Sequence, residues 1–333
     1  MARKDRPPRP MQQQSHDKLR AMFQAGKGRS KHKDKAEGTT AQYIYSVSTY
    51  ETYKKQCDYF IKWMEKHHPE VHTLRKATPY AKEWLEARYA TGNYSAYTMQ
   101  LSAKAVGKLL GITPDSKYYW SPPIRHRSDI ARSRGQTEYD NHFSVTNNAA
   151  LINFARSTGL RRAGLASLRS DCLISATHIP SIQERIKAIP ANQRTAAQQA
   201  MLECIPKTAI FENRPHYYIF VREKGGKWRL APILGSSKVV QEVVDKIKMT
   251  PKGKKVWEYI PKAADIHSYR ADYAIALYKL YARPTETLSR QDVYACRGDM
   301  KGKRLDRHAM KIVETALGHE KPHTFASHYA YKL

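Results

Sequence analysis

YYIFVREKGGKWRLAPI, from Tyr217 to Ile233, is the clearest β pattern in this sequence. Two alternating runs of apolar and polar residues flank Gly225-Gly226, a pair suited to the positive φ angles of a tight hairpin turn. Helical spacing prevails in most of the remaining sequence. The combination predicts an α+β fold that is mainly helical, in which a small all-α domain precedes a mixed domain with a short β-sheet or hairpin.

Helical periodicity dominates the sequence well before the hairpin. From Gln42 to Pro69, apolar residues recur at spacings of three, four and seven. Thr78-Pro79 marks the start of another helix, because proline is tolerated in the first turn, and a third helix follows Thr91-Gly92-Asn93. Residues 39–113 are therefore predicted to form a small helical domain.

Basic segments flank this helical domain on both sides. Residues 1–38 are rich in Lys, Arg, Gln and Gly and poor in large apolar residues, which predicts a disordered basic arm. Residues 114–140 contain three prolines and four arginines with little periodicity, which predicts an interdomain linker. Residues 141–333 then form the second domain.

The charge of the chain indicates a polyanionic partner. Its 58 Lys and Arg residues outnumber its 30 Asp and Glu residues and give a formal net charge of +28. Nucleic acid fits such an excess better than a membrane surface does, since the sequence has neither a spanning apolar run nor a strongly basic amphipathic helix with an unbroken apolar face. A secretory signal is absent from the first residues, and the cysteines lie far apart, so a cytoplasmic protein with free thiols is expected. These cysteines are Cys57, Cys172, Cys204 and Cys296.

Four short motifs in the second half of the chain carry the chemistry. In TGLR an Arg directly follows a helix stop, and a Lys lies at the hairpin tip. HSYR places a His and an Arg on one helix face, and a Tyr follows the His of LGH by ten positions. Each motif alone is more typical of a structural role than of a site. The side chains in question are Arg161, Lys224, His267, Arg270, His319 and Tyr329.

Taken in this order, the motifs resemble those of the tyrosine recombinase (phage integrase) family over about residues 40 to 333. The resemblance implies that residues 39–113 are a core-binding domain and residues 141–333 a catalytic domain, clamped around double-stranded DNA. It implies a homotetramer on a specific recombination site, DNA-bending or directionality accessory proteins, and no cofactor or metal. The implied setting is the bacterial cytoplasm, at the chromosome, in the service of a mobile genetic element.

The resemblance also implies a covalent reaction. Tyr329 would attack a DNA phosphodiester to leave a 3′-phosphotyrosyl bond and a free 5′-hydroxyl, and Lys224 would protonate the leaving 5′-oxygen. Since the covalent bond conserves the energy of the cut ester, a second DNA end can reverse the step without ATP. The expected activity is therefore site-specific recombination, for integration or excision.

The remaining motif residues would stabilise charge. Arg161 and Arg270 would bind the non-bridging oxygens, with His267 and His319 also at the phosphate. Guanidinium groups keep their charge and match such oxygens with fixed forks of donors, and each preorganised donor contributes ~10²–10³ in rate. A phenol has a pKa of about 10, so it needs neighbouring cations and a proton acceptor to react.

The sequence departs from the family pattern near these residues. At Gly164, three positions after Arg161, the family usually has an acidic residue. Arg162 is the alternative to Arg161, and Tyr331 is the alternative to Tyr329. Two stretches are longer than in compact family members and are expected to form added surface elements, namely residues 173–216 and 283–305.

Other functions remain open at this point. A type IB topoisomerase-like enzyme would share the chemistry but relax supercoiled DNA without a specific site. A catalytically inactive DNA-binding accessory protein would bind without cutting. A metal-dependent nuclease fits least, because the sequence has no compact carboxylate cluster for a two-metal site.

Overall fold

The chain folds mainly into helices, with a small antiparallel sheet, which confirms the coarse fold class predicted from the sequence. The computed structural model describes residues 9–126, 143–211, 215–223, 226–319, 321 and 323–333. These residues fall into two compact units, one within Met1–Ile130 and the other within Ala131–Leu333. Much of the predicted linker 114–140 lies outside the described residues.

The described part of the first unit contains helices and no strand. Its helices are α1 (Met11–Gly26), α2 (Lys31–Ala36), α3 (Val47–His67), α4 (Leu74–Ala77), α5 (Ala81–Ala90) and α6 (Ala96–Leu110). Helices α3 and α6 begin where serine side chains accept hydrogen bonds from the first turn, at Ser46 and Ser95. Cys57 and Phe60 of α3 and Val106 of α6 lie in one buried core, as their spacing predicts.

Within residues 1–38, which were predicted to be a disordered arm, the structure contains two helices, α1 and α2. Helix α1 packs against α3, and its Leu19 is completely buried. The few apolar side chains of α1 lie largely on one face, and Gly26 allows close approach because a Cβ there would collide with the backbone of Ile44. The composition of this segment therefore did not indicate a helix, because its few apolar residues are sufficient only by lying on one face.

The second unit contains the remaining helices and all the strands of the described chain. Its helices are α7 (Ala149–Thr158), α8 (Arg162–Ser167), α9 (Ile179–Lys187), α10 (Ala196–Cys204), α11 (Ser237–Lys248), α12 (Ile266–Tyr281), α13 (Arg307–Leu317) and α14 (Thr324–His328). Helix α12 lies in the core, where it packs against α7 and α13. The functional motifs are distributed over the ends of these elements.

The predicted hairpin is present as β2 (Tyr217–Arg222) and β3 (Trp228–Pro232), which pair antiparallel with Ile219 opposite Ala231. A short strand, β1 (Leu173–Ser175), joins the outer edge of β2 to give the order β1-β2-β3. Sequence alternation did not reveal β1, because three residues are too few to show a period of two.

The stretch 283–305, which was expected to form an added surface element, contains one short strand and the start of another. Strands β4 (Val293–Ala295) and β5 (Arg304–Asp306) form a second antiparallel hairpin, with Tyr294 opposite Leu305. Asp306 anchors this hairpin, because its buried carboxylate accepts hydrogen bonds from the Arg283 guanidinium at 2.9 Å. A pair of three-residue strands leaves no alternation to detect.

Two further expectations concern membranes and thiols. Across the described ranges, helices that combine the length and the apolar character needed to span a membrane are absent. The four cysteines are all buried and unpaired, as their wide spacing predicted.

Leu19→Ala tests whether α1 belongs to the fold. Because Leu19 is completely buried, its truncation should lower the free energy of unfolding by about 2–5 kcal/mol, measured by denaturant titration of the full chain. Lys18→Ala on the same helix is the matched control and should change stability little. If Leu19→Ala changes the free energy of unfolding as little as the control does, the prediction of a disordered arm would be supported instead.

Candidate active site

An open pocket of the second unit is lined mainly by polar and charged side chains, together with Trp228, Leu317 and Gly318. Its volume is about 270 Å³, and it lies between the β2–β3 hairpin and the loop that follows α13. The lining includes two of the motif residues, Arg161 and His319, together with Glu223 and Arg229. Within the described residues, no cluster of three or more His, Cys, Asp or Glu side chains is placed to bind a metal ion.

Arg270 lies behind this pocket, and its side chain is only 1% exposed. It projects from the first turns of α12, a helix whose N-terminus is capped when the Asp265 carboxylate accepts from the Ser268 amide at 3.0 Å. Its Nη2 donates to the Leu317 carbonyl at 2.9 Å, and its Nη1 donates to the Gly159 carbonyl. The burial of the charge is tolerated because carbonyl oxygens accept from it on two sides.

The two carbonyls that bind Arg270 both belong to helix C-termini. Gly159 ends α7 and Leu317 is the last residue of α13, and a helix leaves its final carbonyls without intrahelical partners. The negative end of a helix dipole also favours a cation. Arg229 of β3 uses the same two ends, donating to the carbonyls of Ala316 and Gly159. Two converging helix ends therefore hold two buried guanidinium groups.

Gly159 is required where it lies. Its φ of 58° is left-handed, and a Cβ at this position would collide with the Tyr273 ring of α12. The close approach of α7 to α12 is what brings the Gly159 carbonyl to Arg270. The helix stop that the sequence indicated at TGLR is thus also a part of the site.

Tyr329 contacts two of the other motif residues directly. Its hydroxyl accepts from Arg270 Nε at 3.1 Å and lies 3.3 Å from His319 Nε2. The side chain is 3% exposed, and Tyr329 does not line the pocket, whereas His319 does. The two chain segments that meet here, 59 residues apart in sequence, were predicted to supply a nucleophile and a cation.

His319 is held in the neutral form at ordinary pH. Burial lowers the pKa of His319, and the positive charges of Arg270, Arg161 and Arg229 lower it further, to about 3. Since Arg270 can only donate, the phenol hydrogen of Tyr329 is available to His319 Nε2, which a neutral imidazole can offer as an acceptor. The geometry therefore provides a proton path from the phenol to an imidazole.

Arg161 lines the pocket and binds Glu223, the residue that directly follows β2. The Arg161 Nη1 donates to Glu223 Oε2 at 2.5 Å, and its backbone amide donates to Oε1 at 2.9 Å. The Arg161 side chain is 33% exposed, whereas that of Glu223 is 3% exposed. The guanidinium can therefore reach a ligand in the pocket while the carboxylate stays buried behind it.

Glu223 is the functional candidate that the sequence reading missed. Burial would raise the pKa of its carboxyl group, but Arg229, Arg270 and Arg161 outweigh burial and lower the pKa to about 2. Its Oε2 lies 3.3 Å from Arg229 Nε and 3.5 Å from Arg270 Nη1. In the sequence, a Glu within REKGG is typical of an exposed turn, and its arginine partners are distant, so no local pattern could have revealed it.

Arg162, the alternative to Arg161, has a different role. Its guanidinium donates to the backbone carbonyls of Pro261 and Ala264 at 2.8 and 2.5 Å, in the loop that leads into α12. It also donates to the Ile260 carbonyl at 3.2 Å. These contacts fix the loop and point away from the Glu223 cluster, so Arg161 is the arginine that the structure brings to the pocket.

The other motif residues are placed as follows. His267, on the first turn of α12, is exposed, and its ring centroid lies 6.3 Å from that of Tyr329. Tyr331, the alternative nucleophile, is half-buried and packs against the core of the second unit. Lys224 lies outside the described residues, so its predicted place at the phosphate is not tested. Arg161, Arg270, His319 and Tyr329 are therefore the predicted residues that the structure gathers.

The segment that carries Tyr329 is latched onto α12. Lys332 Nζ donates to Ser268 Oγ at 2.6 Å and forms an ion pair with Asp272. Arg156 of α7 binds the other oxygen of the Asp272 carboxylate at 3.0 Å. The latch stabilises the position of the Tyr329 hydroxyl beside Arg270.

Comparison with known proteins does not identify the chain: a scan against protein families finds no match, and a search of curated proteins finds no significant relative. The resemblance of the motifs to one family therefore remains a hypothesis. What the site can do must be inferred from its residues and their geometry.

The neutral state of His319 predicts a pH dependence of stability. An unfolded chain takes up a proton at this residue near pH 6.5, whereas the folded protein does so only near pH 3, so acidification across this window favours unfolding. As the pH falls from 7 to 4, the wild type should therefore lose more stability than His319→Gln does. Thermal unfolding midpoints measure it.

The exposed His72, replaced as His72→Gln, provides the control for removing one imidazole. A wild-type-minus-His319→Gln difference that stays constant from pH 7 to 4 would contradict a neutral, buried His319.

Proposed function

We propose that this protein cuts and rejoins DNA by phosphodiester transesterification, with Tyr329 as the nucleophile, and that it acts as a site-specific recombinase of the tyrosine type. The observation that carries the proposal is the contact of one phenol hydroxyl with both a buried arginine and a neutral histidine, Arg270 and His319. A phenol that merely fills a core has no need of this pair. The cationic pocket beside them suits a phosphate group.

The chemistry proceeds by exchange of one ester for another. His319 accepts the phenol proton as Tyr329 Oη forms a bond to phosphorus, and the bond from phosphorus to the 5′-oxygen breaks. The leaving 5′-oxygen takes a proton from an acid, the role proposed for Lys224. Attack by a 5′-hydroxyl on the phosphotyrosyl bond runs the same steps backward, so neither ATP nor water is consumed.

The arginines stabilise the charge that builds up on the phosphate. Arg161 is partly exposed in the pocket, so its outer N–H groups can bind a non-bridging oxygen. Arg270 binds Tyr329, Gly159 and Leu317, and its Nη1 lies 3.5 Å from Glu223 Oε2, so it contributes a fixed positive charge beside Arg161. Such fixed donors add little reorganisation cost when the charge develops.

The buried position of Tyr329 gives the proposal a conformational requirement. Tyr329 is 3% exposed and does not line the pocket, so the loop that follows α13 must shift when DNA enters. The loop is short and begins at Gly318, whose φ of 67° ends α13. This closed arrangement protects the nucleophile until DNA is bound.

Several finer features belong to the proposal as well. The net charge of +28 supports double-stranded DNA as the substrate, since each phosphate contact releases counterions. A homotetramer on two duplexes, DNA-bending or directionality accessory proteins, and a bacterial setting at the chromosome follow from the proposed recombination. The core-binding role of residues 39–113 is proposed on the same ground.

Tyr329→Phe tests the proposal. A library of nicked duplex oligonucleotides of random sequence traps a covalent adduct, because the short strand beyond the nick diffuses away after cleavage. The wild-type chain should form a protein–DNA adduct that survives denaturing electrophoresis, and Tyr329→Phe should abolish it while DNA affinity, measured by gel shift, stays nearly unchanged.

Tyr331→Phe is the matched control, because it removes a hydroxyl two residues away. It should retain the adduct. If the adduct survives in Tyr329→Phe and disappears in Tyr331→Phe, the nucleophile is Tyr331. If the wild type and both variants form no adduct, the proposed reaction is contradicted.

A further inference from the structure

The carboxylate of Glu223 lies among three arginine side chains. It accepts from both the backbone amide and the guanidinium of Arg161, and its Oε2 is within 3.5 Å of Arg229 Nε and Arg270 Nη1. Because the side chain of Glu223 is only 3% exposed, its carboxylate is a buried member of the cluster. A buried group with this many contacts fixes the positions of its partners.

Gly164 leaves the space that this carboxylate occupies. Gly164 is buried in α8, and a Cβ built on it would lie 3.1 Å from Glu223 Oε1 and 3.6 Å from its Cγ. The carboxylate therefore reaches the cluster from β2 by using room that a side chain on α8 would otherwise fill. The glycine and the glutamate are complementary in shape, although they are 59 residues apart in sequence.

The two bonds to Arg161 restrict its side chain. An arginine at a pocket mouth has many rotamers, and ordering it on a ligand costs conformational entropy. Glu223 holds the backbone amide and Nη1 of Arg161 together, so the guanidinium presents its remaining donors to the pocket before any ligand arrives. Preorganisation of this kind acts on the reaction rate more than on binding.

We infer that Glu223 is a positioning residue, which holds Arg161 and the buried arginines in the geometry that stabilises the transferring phosphate, and that Gly164 is the matching vacancy on α8. The inference rests on the proposed transesterification. It makes the carboxylate a permanent part of the site that remains in place when DNA binds.

A different role would have the opposite effect. A carboxylate among arginines also resembles a bound anion, and a Glu223 that had to leave before the phosphate could enter would inhibit the reaction. Removal of such an inhibitor would speed adduct formation, whereas removal of a positioning group slows it. The sign of the effect therefore separates the two roles.

The test compares Glu223→Ala with the relocated pair Glu223→Ala/Gly164→Asp. The rate of adduct formation is measured in single turnover with saturating nicked duplex DNA, alongside DNA affinity. Glu223→Ala should slow adduct formation by about 10²-fold, because a misplaced group costs on that order, and should leave affinity within a few-fold of wild type. The relocated pair should recover at least about ten-fold of the lost rate, since the new carboxylate enters the vacated space.

Gly164→Asp alone is the matched control. Its Cβ would already lie 3.1 Å from Glu223 Oε1, so its carboxylate would crowd and repel that of Glu223. Gly164→Asp should therefore lower the rate although it adds the same group that rescues the double variant. Gly164→Asp should thus raise the rate in the Glu223→Ala background and lower it in the wild-type background. A general change in stability does not produce opposite effects of this kind.

Several results would overturn the inference. They are faster adduct formation in Glu223→Ala, a folded relocated pair with no recovery of rate, and a relocated pair that does not fold although its carboxylate balances the buried charge. If Glu223→Ala alone does not fold, the folded relocated pair still shows whether a carboxylate at position 164 supports adduct formation. A wild-type chain that forms no adduct would instead contradict the proposed function.

A double-mutant cycle tests the contact without DNA. Arg161→Ala and Glu223→Ala should be non-additive in their effects on thermal unfolding if the pair interacts as described. This coupling is independent of activity, so failure of the proposed function and failure of the Glu223 contact give different results.

Discussion

The burial of the Arg270 guanidinium is the constraint on which the rest of the site depends. Burying a charge that is 1% exposed is costly unless it is hydrogen-bonded, and here the hydrogen-bond acceptors come from three separate parts of the chain. They are the C-terminal end of α7, the C-terminal end of α13, and the hydroxyl of Tyr329. Because these elements must converge on one side chain, the position of the phenol follows from the packing of the core.

The balance of charge follows from the same arrangement. Three guanidinium groups and one carboxylate leave an excess of two positive charges in the cluster, counting Arg161, Arg229 and Arg270 against Glu223. Helix C-termini stabilise two of the cations, and the carboxylate binds the third. The excess lowers the pKa of His319, which keeps the imidazole able to accept a proton, and it attracts an anion to the pocket.

The sequence predicted the parts of this site that have local signals. Gly159 ends a helix in a left-handed conformation, as the stop at TGLR indicated, and the hairpin follows from its alternation. The burial of Arg270 and the contact of Arg229 with two helix ends could not be predicted, because they depend on elements far apart in the chain. The role of Glu223 could not be predicted for the same reason. Helix α1 was not predicted because its overall composition is polar, although its few apolar residues lie on one face.

The proposed reaction joins the Tyr329 hydroxyl covalently to a DNA phosphate. Mass spectrometry tests it most directly: the wild-type chain is incubated with the nicked duplex library, the DNA is trimmed by nuclease, and the tryptic peptide that contains both Tyr329 and Tyr331 is fragmented. A nucleotide attached through phosphate to Tyr329 is expected. A nucleotide on Tyr331 or on any other residue, or no modified peptide under conditions in which the DNA is cut, would contradict it.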